Sequence, residues 1–183
     1  MTKRSLLLAC APTLLCLTGC ASGAGGSPAP APDVVRGVAG IERVVQQGPE
    51  ATSPVQAPVP EVFAALGTVY EELELNITGR VPREGRITAE RRRLTRLAGR
   101  RASDYVDCGS TFSGPVADNA EVLLVVTSRV VSGGGGSMLA TRVDAEARPR
   151  GTMEGVRECS STGRLEALIL EHVNARLAGT VPG

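Results

Sequence analysis

Apolar positions recur along the chain with two different periods, and their alternation sets the expected order of elements. Val62, Leu66, Val69 and Leu73 fall at helical spacing, with Phe63 and Tyr70 beside them. Pro60 suits the first helical position and Glu61 the first turn, so a helix is predicted from there to about Leu73. A short strand over 74–78 and a turn over 79–85 follow. The segment 86–97 is predicted as a strand, because a turn precedes it and later strands need a partner. Ile87, Leu94 and Leu97 would also fit a helical stripe. The clearest pattern is a hairpin of 121–131 and 137–148 around a Ser-Gly-Gly-Gly-Gly-Ser loop. Pairing Val131 with Met138 sets Val130 against Leu139, Val126 against Val143, Leu124 against Ala145 and Val122 against Ala147. That face is apolar apart from Ser128 and Thr141, and Glu121 meets Arg148 on the other. A slip of one residue would turn Arg142 and Asp144 to the core, so the register is strongly specified. Leu165, Leu168, Ile169, His172, Val173 and Leu177 trace one face of a final helix. Ser161 or Thr162 is expected to cap it, and Gly179 and Pro182 to stop it. Earlier in the chain, 41–47 and 53–57 read as short strands around the Gly48-Pro49 turn. The order predicts an α+β fold: a two-layer antiparallel sheet of about 4–5 strands, with one N-terminal and one C-terminal helix packed on one face.

Composition narrows the class. The 183 residues suit one domain, and 42% hydrophobic with 21% charged is a globular balance. The net charge of +1 argues against a general nucleic-acid binder. The N-terminus is distinctive. Lys3 and Arg4 precede an apolar stretch over 6–17 that has the length of a signal-peptide core. Pro12 makes that stretch a poor permanent membrane helix. It ends in Leu17-Thr18-Gly19-Cys20, which resembles the lipobox of bacterial lipoproteins. The resemblance implies cleavage before Cys20, a diacylglycerol on its sulfur and an acylated amine, which together make a stable anchor. Ala21 in the next position is similar to an outer-membrane sorting signal, so the expected location is the outer membrane, facing the periplasm.

The expected organisation is then a signal peptide over 1–19, a lipidated Cys20 with a Gly/Ser/Pro/Ala tether to residue 33, and a single domain over 34–183. Removing Lys3 and Arg4 from 20 basic residues leaves the remainder nearly balanced against 19 acidic ones. Of five cysteines, Cys10 and Cys16 leave with the signal and Cys20 carries lipid, so Cys108 and Cys159 form an even pair in an oxidising compartment. A disulfide between them is predicted; the alternative is a pair of reduced thiols. The element order resembles the helix-grip domains of envelope lipoproteins of the BamC type. Asp107-Cys108-Gly109 and Glu158-Cys159-Ser160-Ser161-Thr162-Gly163 are similar to segments of other Gram-negative envelope lipoproteins. Neither likeness implies an activity.

The candidate chemistry is sparse. Arginines crowd between Arg80 and Arg101, opposed within that stretch by Glu84 and Glu90. Arg86, Arg91, Arg92, Arg93 and Arg96 are candidates for binding an anionic envelope component or an acidic protein partner. The competing reading is a solvated strand face balanced by acidic neighbours. Nucleic acid is not an expected partner, because no aromatics interleave the arginines. Asp104 and Asp107 near Cys108 could serve acid–base chemistry or cap a turn. His172 reads as a packing residue, and Ser160-Ser161 lacks the Gly-x-Ser-x-Gly pattern of a nucleophile elbow. Residues 133–136 lack a phosphate-loop ending. No cofactor or metal site is expected. The expectation is a membrane-anchored, non-enzymatic binding or scaffolding protein. The alternative is a carrier holding a lipid or small apolar ligand between sheet and helix, and a hydrolase using Asp104, Asp107 or His172 ranks third.

Overall fold

Strict alternation over two 14-residue segments builds the longest ladder in the protein, and the other elements assemble on it. The structure is a computed structural model that describes residues 34–36, 42–44, 49–150 and 155–179. The expected signal segment, Cys20, the tether, most of the expected strand 41–47 and Pro182 lie outside the described residues. In chain order the elements are β1 (Ala51–Val55), α1 (Val59–Glu72), β2 (Asn76–Val81), β3 (Arg86–Leu94), β4 (Val106–Asp107), α2 (Val116–Asn119), β5 (Ala120–Gly133), β6 (Gly136–Pro149), β7 (Arg157–Ser161) and α3 (Arg164–Leu177). Seven strands form one antiparallel sheet in the order β2-β3-β5-β6-β7-β4, with β1 pairing the first half of β6 alongside β7. Val34–Arg36 and Glu42–Val44 form a separate two-stranded ladder.

The expected register of the hairpin holds at every named pair, from Val131–Met138 through Val126–Val143 to Glu121–Arg148. Pairing continues inward to Ser132–Ser137 and Gly133–Gly136, so the loop is a two-residue Gly134-Gly135 turn rather than six residues. Gly135 has φ +88°, a conformation that glycine adopts without penalty.

The α+β class holds, but the sheet exceeds the expected four to five strands. The strands that periodicity did not predict are β4 and β7, two and five residues long. No residue of β7 is buried, so it carries no apolar alternation to read. Pro54 fits in β1 because that strand lies at the edge. β2 runs past the expected end at residue 78 because its register shifts between Ile77 and Gly79. The turn therefore tightens to residues 82–85. Gly85, at φ +60°, lies so close to β5 that a Cβ there would collide with the Val130 carbonyl.

The strand expected over 86–97 ends at Leu94. Between the Leu94–Val122 and Arg91–Leu124 pairs, Arg92 and Arg93 together oppose Leu123 alone. This bulge explains the weak strand pattern. Ile87, Ala89 and Arg91 alternate onto the inner face, and the extra residue then returns Leu94 to it.

α1 and α3 pack side by side over that inner face, α1 above β2, β3 and β5 and α3 above β6 and β1. They bury Val62, Leu66, Val69 and Tyr70 from α1 and Leu165, Ile169 and Val173 from α3 against Ile87, Val122, Leu124, Val126 and Leu139. The two polar positions on this apolar face satisfy each other. Ser128 and Thr141 are direct cross-strand partners with hydroxyls 2.7 Å apart, and the Tyr70 hydroxyl lies 2.7 Å from Ser128. Gly163 at φ +80°, rather than Ser161 or Thr162, occupies the cap of α3. Both hydroxyls still contribute: Ser161 Oγ accepts from the Gly163 N–H at 3.0 Å, and Thr162 Oγ1 donates to the Asp104 carbonyl at 2.7 Å.

The predicted disulfide joins Cys108 and Cys159, with Cα atoms 4.2 Å apart. Ser160–Asp107 and Ser161–Val106 are the β7–β4 pairs, so the cysteines occupy the next opposed position. All the buried apolar residues described lie between Val55 and Val173.

Two outcomes follow from this packing. Closing a 51-residue separation stabilises the fold by about 4 kcal/mol in the chain-entropy model. Replacing both cysteines by serine should therefore lower the denaturant midpoint and leave the β5–β6 amide pattern intact; an unchanged midpoint would argue against a structural role. The chain has two tyrosines, both buried, and burial pushes both phenols up. Above about pH 10 the unfolded chain loses phenolic protons that the folded chain retains, so stability falls as pH rises. Tyrosinate absorbance should appear in one step with the loss of circular dichroism, not as a gradual titration of the folded protein.

Candidate functional site at the arginine-bearing end of the sheet

The arginines proposed from sequence do not form one surface. Arg86 starts β3, and β3 alone spans about 26 Å before the chain reaches Arg96. Four of the five lie beside acids. Arg86 is 3.0 Å from Glu84, Arg91 2.9 Å from Glu74, Arg92 3.7 Å from Glu90 and Arg93 3.6 Å from Glu121. Glu121 thus turns to Arg93, although its ladder partner is Arg148. Arg92 and Arg93 are largely exposed, and such pairs contribute little to stability.

Arg91 is a structural residue. It lies on the inner face opposite Leu124 and reaches the end of α1. Its Nη1 is 3.3 Å from the Leu73 carbonyl, 3.1 Å from that of Glu74 and 2.9 Å from the Glu74 carboxylate. Glu74 has φ +53°, a left-handed position usually given to glycine at a helix end. The guanidinium satisfies carbonyls that the helix leaves open and complements its negative end.

Arg96 has a different setting. Arg96–Leu97 and Arg100–Arg101 form a small hairpin around Ala98 and Gly99, both at positive φ. The register sets Arg96 directly opposite Arg101. Like charges so placed repel, which an anion between them would relieve. Thr95, Arg96, Arg101 and Asp118 line an open cleft of about 290 Å³ there. Asp118 only partly offsets the charge. It accepts from the Ser103 N–H at 3.0 Å and the Ser103 hydroxyl at 2.9 Å, and lies 3.9 Å from Arg101. Arg100 is exposed on the same hairpin.

A second small hairpin, Ser110–Thr111 with Gly114–Pro115, leaves the same end of the sheet. Leu94 of β3 pairs with the start of β5, and beyond β4 the chain runs in the direction of that end. At its tip Phe112 is fully exposed, in contrast to the buried core residues. The sequence reading did not single out Phe112. Its signal was a lone aromatic between turn-forming residues, Gly109-Ser-Thr-Phe-Ser-Gly-Pro115, with no apolar neighbour to share a core position.

The other candidates are engaged in structure. Asp104 accepts from the Arg101 N–H at 3.1 Å and from Arg164 at 3.1 Å; Asp107 accepts from the Gly109 N–H at 2.8 Å. Both close turns beside the disulfide. His172 is partly buried on α3, with no partner at Nδ1, and Arg176 one turn on pairs with Glu72 of α1. Between β1, β6 and the start of α3 lies a cleft of about 160 Å³, lined in part by Leu139, Leu170 and Glu166. One Glu166 oxygen accepts from Ser161 at 2.6 Å; the other has no partner and no solvent contact. Among the described residues no group of three or more His, Cys, Asp or Glu side chains is placed to hold a metal, and no helix is long and apolar enough to cross a membrane. No family model matches the chain, and no curated protein is significantly similar to it.

The two kinds of arginine should separate on mutation. Arg91→Ala should destabilise by about 1–2 kcal/mol, because the end of α1 loses its donor. Arg92→Ala and Arg96→Ala should stay within about 0.5 kcal/mol in the same denaturant titration. Equal losses at all three positions would contradict this division.

Proposed function

We propose that the chain is a bacterial envelope lipoprotein, anchored through Cys20 in the outer membrane and facing the periplasm, whose domain binds or scaffolds rather than catalyses. The observation that carries the reading is the Cys108–Cys159 disulfide in a chain that opens with a basic residue pair, an apolar core and Leu-Thr-Gly-Cys. Structural disulfides belong to oxidising compartments, which is where such a leader would send the domain. The tether over 21–33 would lift the domain from the bilayer.

Binding is favoured over chemistry because Asp104 and Asp107, the candidate acid–base pair, are held in turn-closing bonds. Scaffolding is favoured over lipid carriage because the layer between sheet and helices is filled by side chains such as Tyr70, Leu66 and Leu124. The cleft beside α3, at about 160 Å³, is below the roughly 300 Å³ at which ligand pockets begin. The proposed partner is an anionic envelope component, met by Arg96 and Arg101.

The test is metabolic labelling with a fatty acid in a Gram-negative host. The parent chain should incorporate label and fractionate with membranes, and Cys20→Ser should lose both. A parent chain that takes up no label, or a C20S chain that still does, contradicts the anchor.

A further inference from the structure

We infer that the Phe112 hairpin and the arginine hairpin together dock on the surface of an anionic phospholipid bilayer. The inference deepens the proposed function and rests on its tether for physiological strength, but the surface itself needs no lipid on Cys20. Phe112 is fully exposed at a two-residue tip, and its neighbours Thr111 and Ser113 are exposed and polar. The domain therefore gains nothing by burying it, and the ring stands clear of the surface.

The hairpin is also held in place. Cys108 is disulfide-bonded four residues before the ring, Gly109 is fixed by Asp107, and the Val116 N–H donates to the Gly109 carbonyl at 3.0 Å. Within the tip, Thr111 Oγ1 lies 3.0 Å from Ser113 Oγ and donates to the Gly114 carbonyl at 3.2 Å. A pre-ordered wedge loses little freedom on insertion.

The arginine hairpin leaves the same end of the sheet. α2, which directly follows the Phe112 hairpin, binds Ser103 and approaches Arg101 through Asp118. The opposed Arg96 and Arg101 match the charge of headgroup phosphates, which guanidinium groups bind in a forked geometry. An apolar ring entering the interface beside cations bound to headgroups is a coherent membrane contact. One ring and two arginines hold a free protein weakly, so its binding is read with lipid in large excess. A domain already tethered to the bilayer meets that surface at high effective concentration, and weak contacts then suffice.

The experiment is co-sedimentation of residues 21–183, which contain every buried apolar residue described, with vesicles of mixed phosphatidylglycerol and phosphatidylcholine, and with phosphatidylcholine alone. The parent should partition onto the anionic vesicles and lose that binding at high salt. Phe112→Ser should reduce partitioning by about tenfold or more without changing the melting temperature, since the ring is exposed. Arg96→Glu should reduce it as strongly; it sets a carboxylate opposite Arg101, and an unchanged melting temperature shows that the loss is not one of folding. Absence of vesicle binding by the parent overturns the inference in favour of an acidic protein partner. So does equal binding to neutral vesicles, or an F112S chain that binds like the parent. Because this chain carries no lipid, its result is independent of the labelling of Cys20.

Discussion

The ladder between β5 and β6 pairs Ala120 with Pro149 at one end and Gly133 with Gly136 at the other, without a slip. Its register decides which side chains face the helices. In this register Val122, Leu124, Val126 and Val130 meet Ala147, Ala145, Val143 and Leu139 on one face, and Arg142 and Asp144 stay on the other, bonded to each other at 3.1 Å. The two hydroxyls on the apolar face fall opposite one another, and Tyr70 of α1 completes their hydrogen bonding. A buried hydroxyl pair without that third partner would be a less well satisfied group in a low-dielectric core. The same contact therefore aligns α1 over the sheet. β3 adds on one side of the ladder, and β1 and β7 share the other.

The end of the sheet where β5 begins is built differently. Two short hairpins leave it, and local devices hold them: the disulfide, the Asp107 and Asp104 turns, and the Asp118 bonds to Ser103. This is where the chain tolerates arrangements that cost stability. Arg96 faces Arg101, and a phenylalanine ring stands in solvent. Arg86, Arg91, Arg92 and Arg93 lie closer to acids, and one of them, Arg91, sustains the left-handed Glu74 at the end of α1. Clustering of partly offset positive charge and exposed apolar surface at one end is what separates a binding surface from a merely solvated one.

What could be read from the chain followed from how strongly each segment depends on burial. The β5–β6 register was legible because a slip would have buried Arg142 and Asp144. The α1 stripe was legible because it is buried throughout, and the cysteine pairing because the count left one pair. β4 escaped because two residues are too few to show a period, and β7 because none of its residues is buried. The β3 bulge blurred a strand by moving its apolar residues out of step. For the site, the abundance of arginine was plain, but its division was not. Glu74 and Glu121 lie outside the arginine stretch, and only the fold brings them to Arg91 and Arg93. Phe112 went unnoticed because periodicity singles out apolar residues that recur, and this one stands alone.

The measurement that bears most directly on this account is native-state amide hydrogen exchange, resolved by residue. If the β5–β6 ladder organises the domain, the amides of residues 122–130 and 139–147 should exchange only through global unfolding, at the slowest common rate in the protein. The hairpins at Arg96–Arg101 and 110–115 should open locally and earlier. Fast exchange in the ladder while α1 and α3 stay protected would contradict the account, because the helices would then hold without the register that positions them.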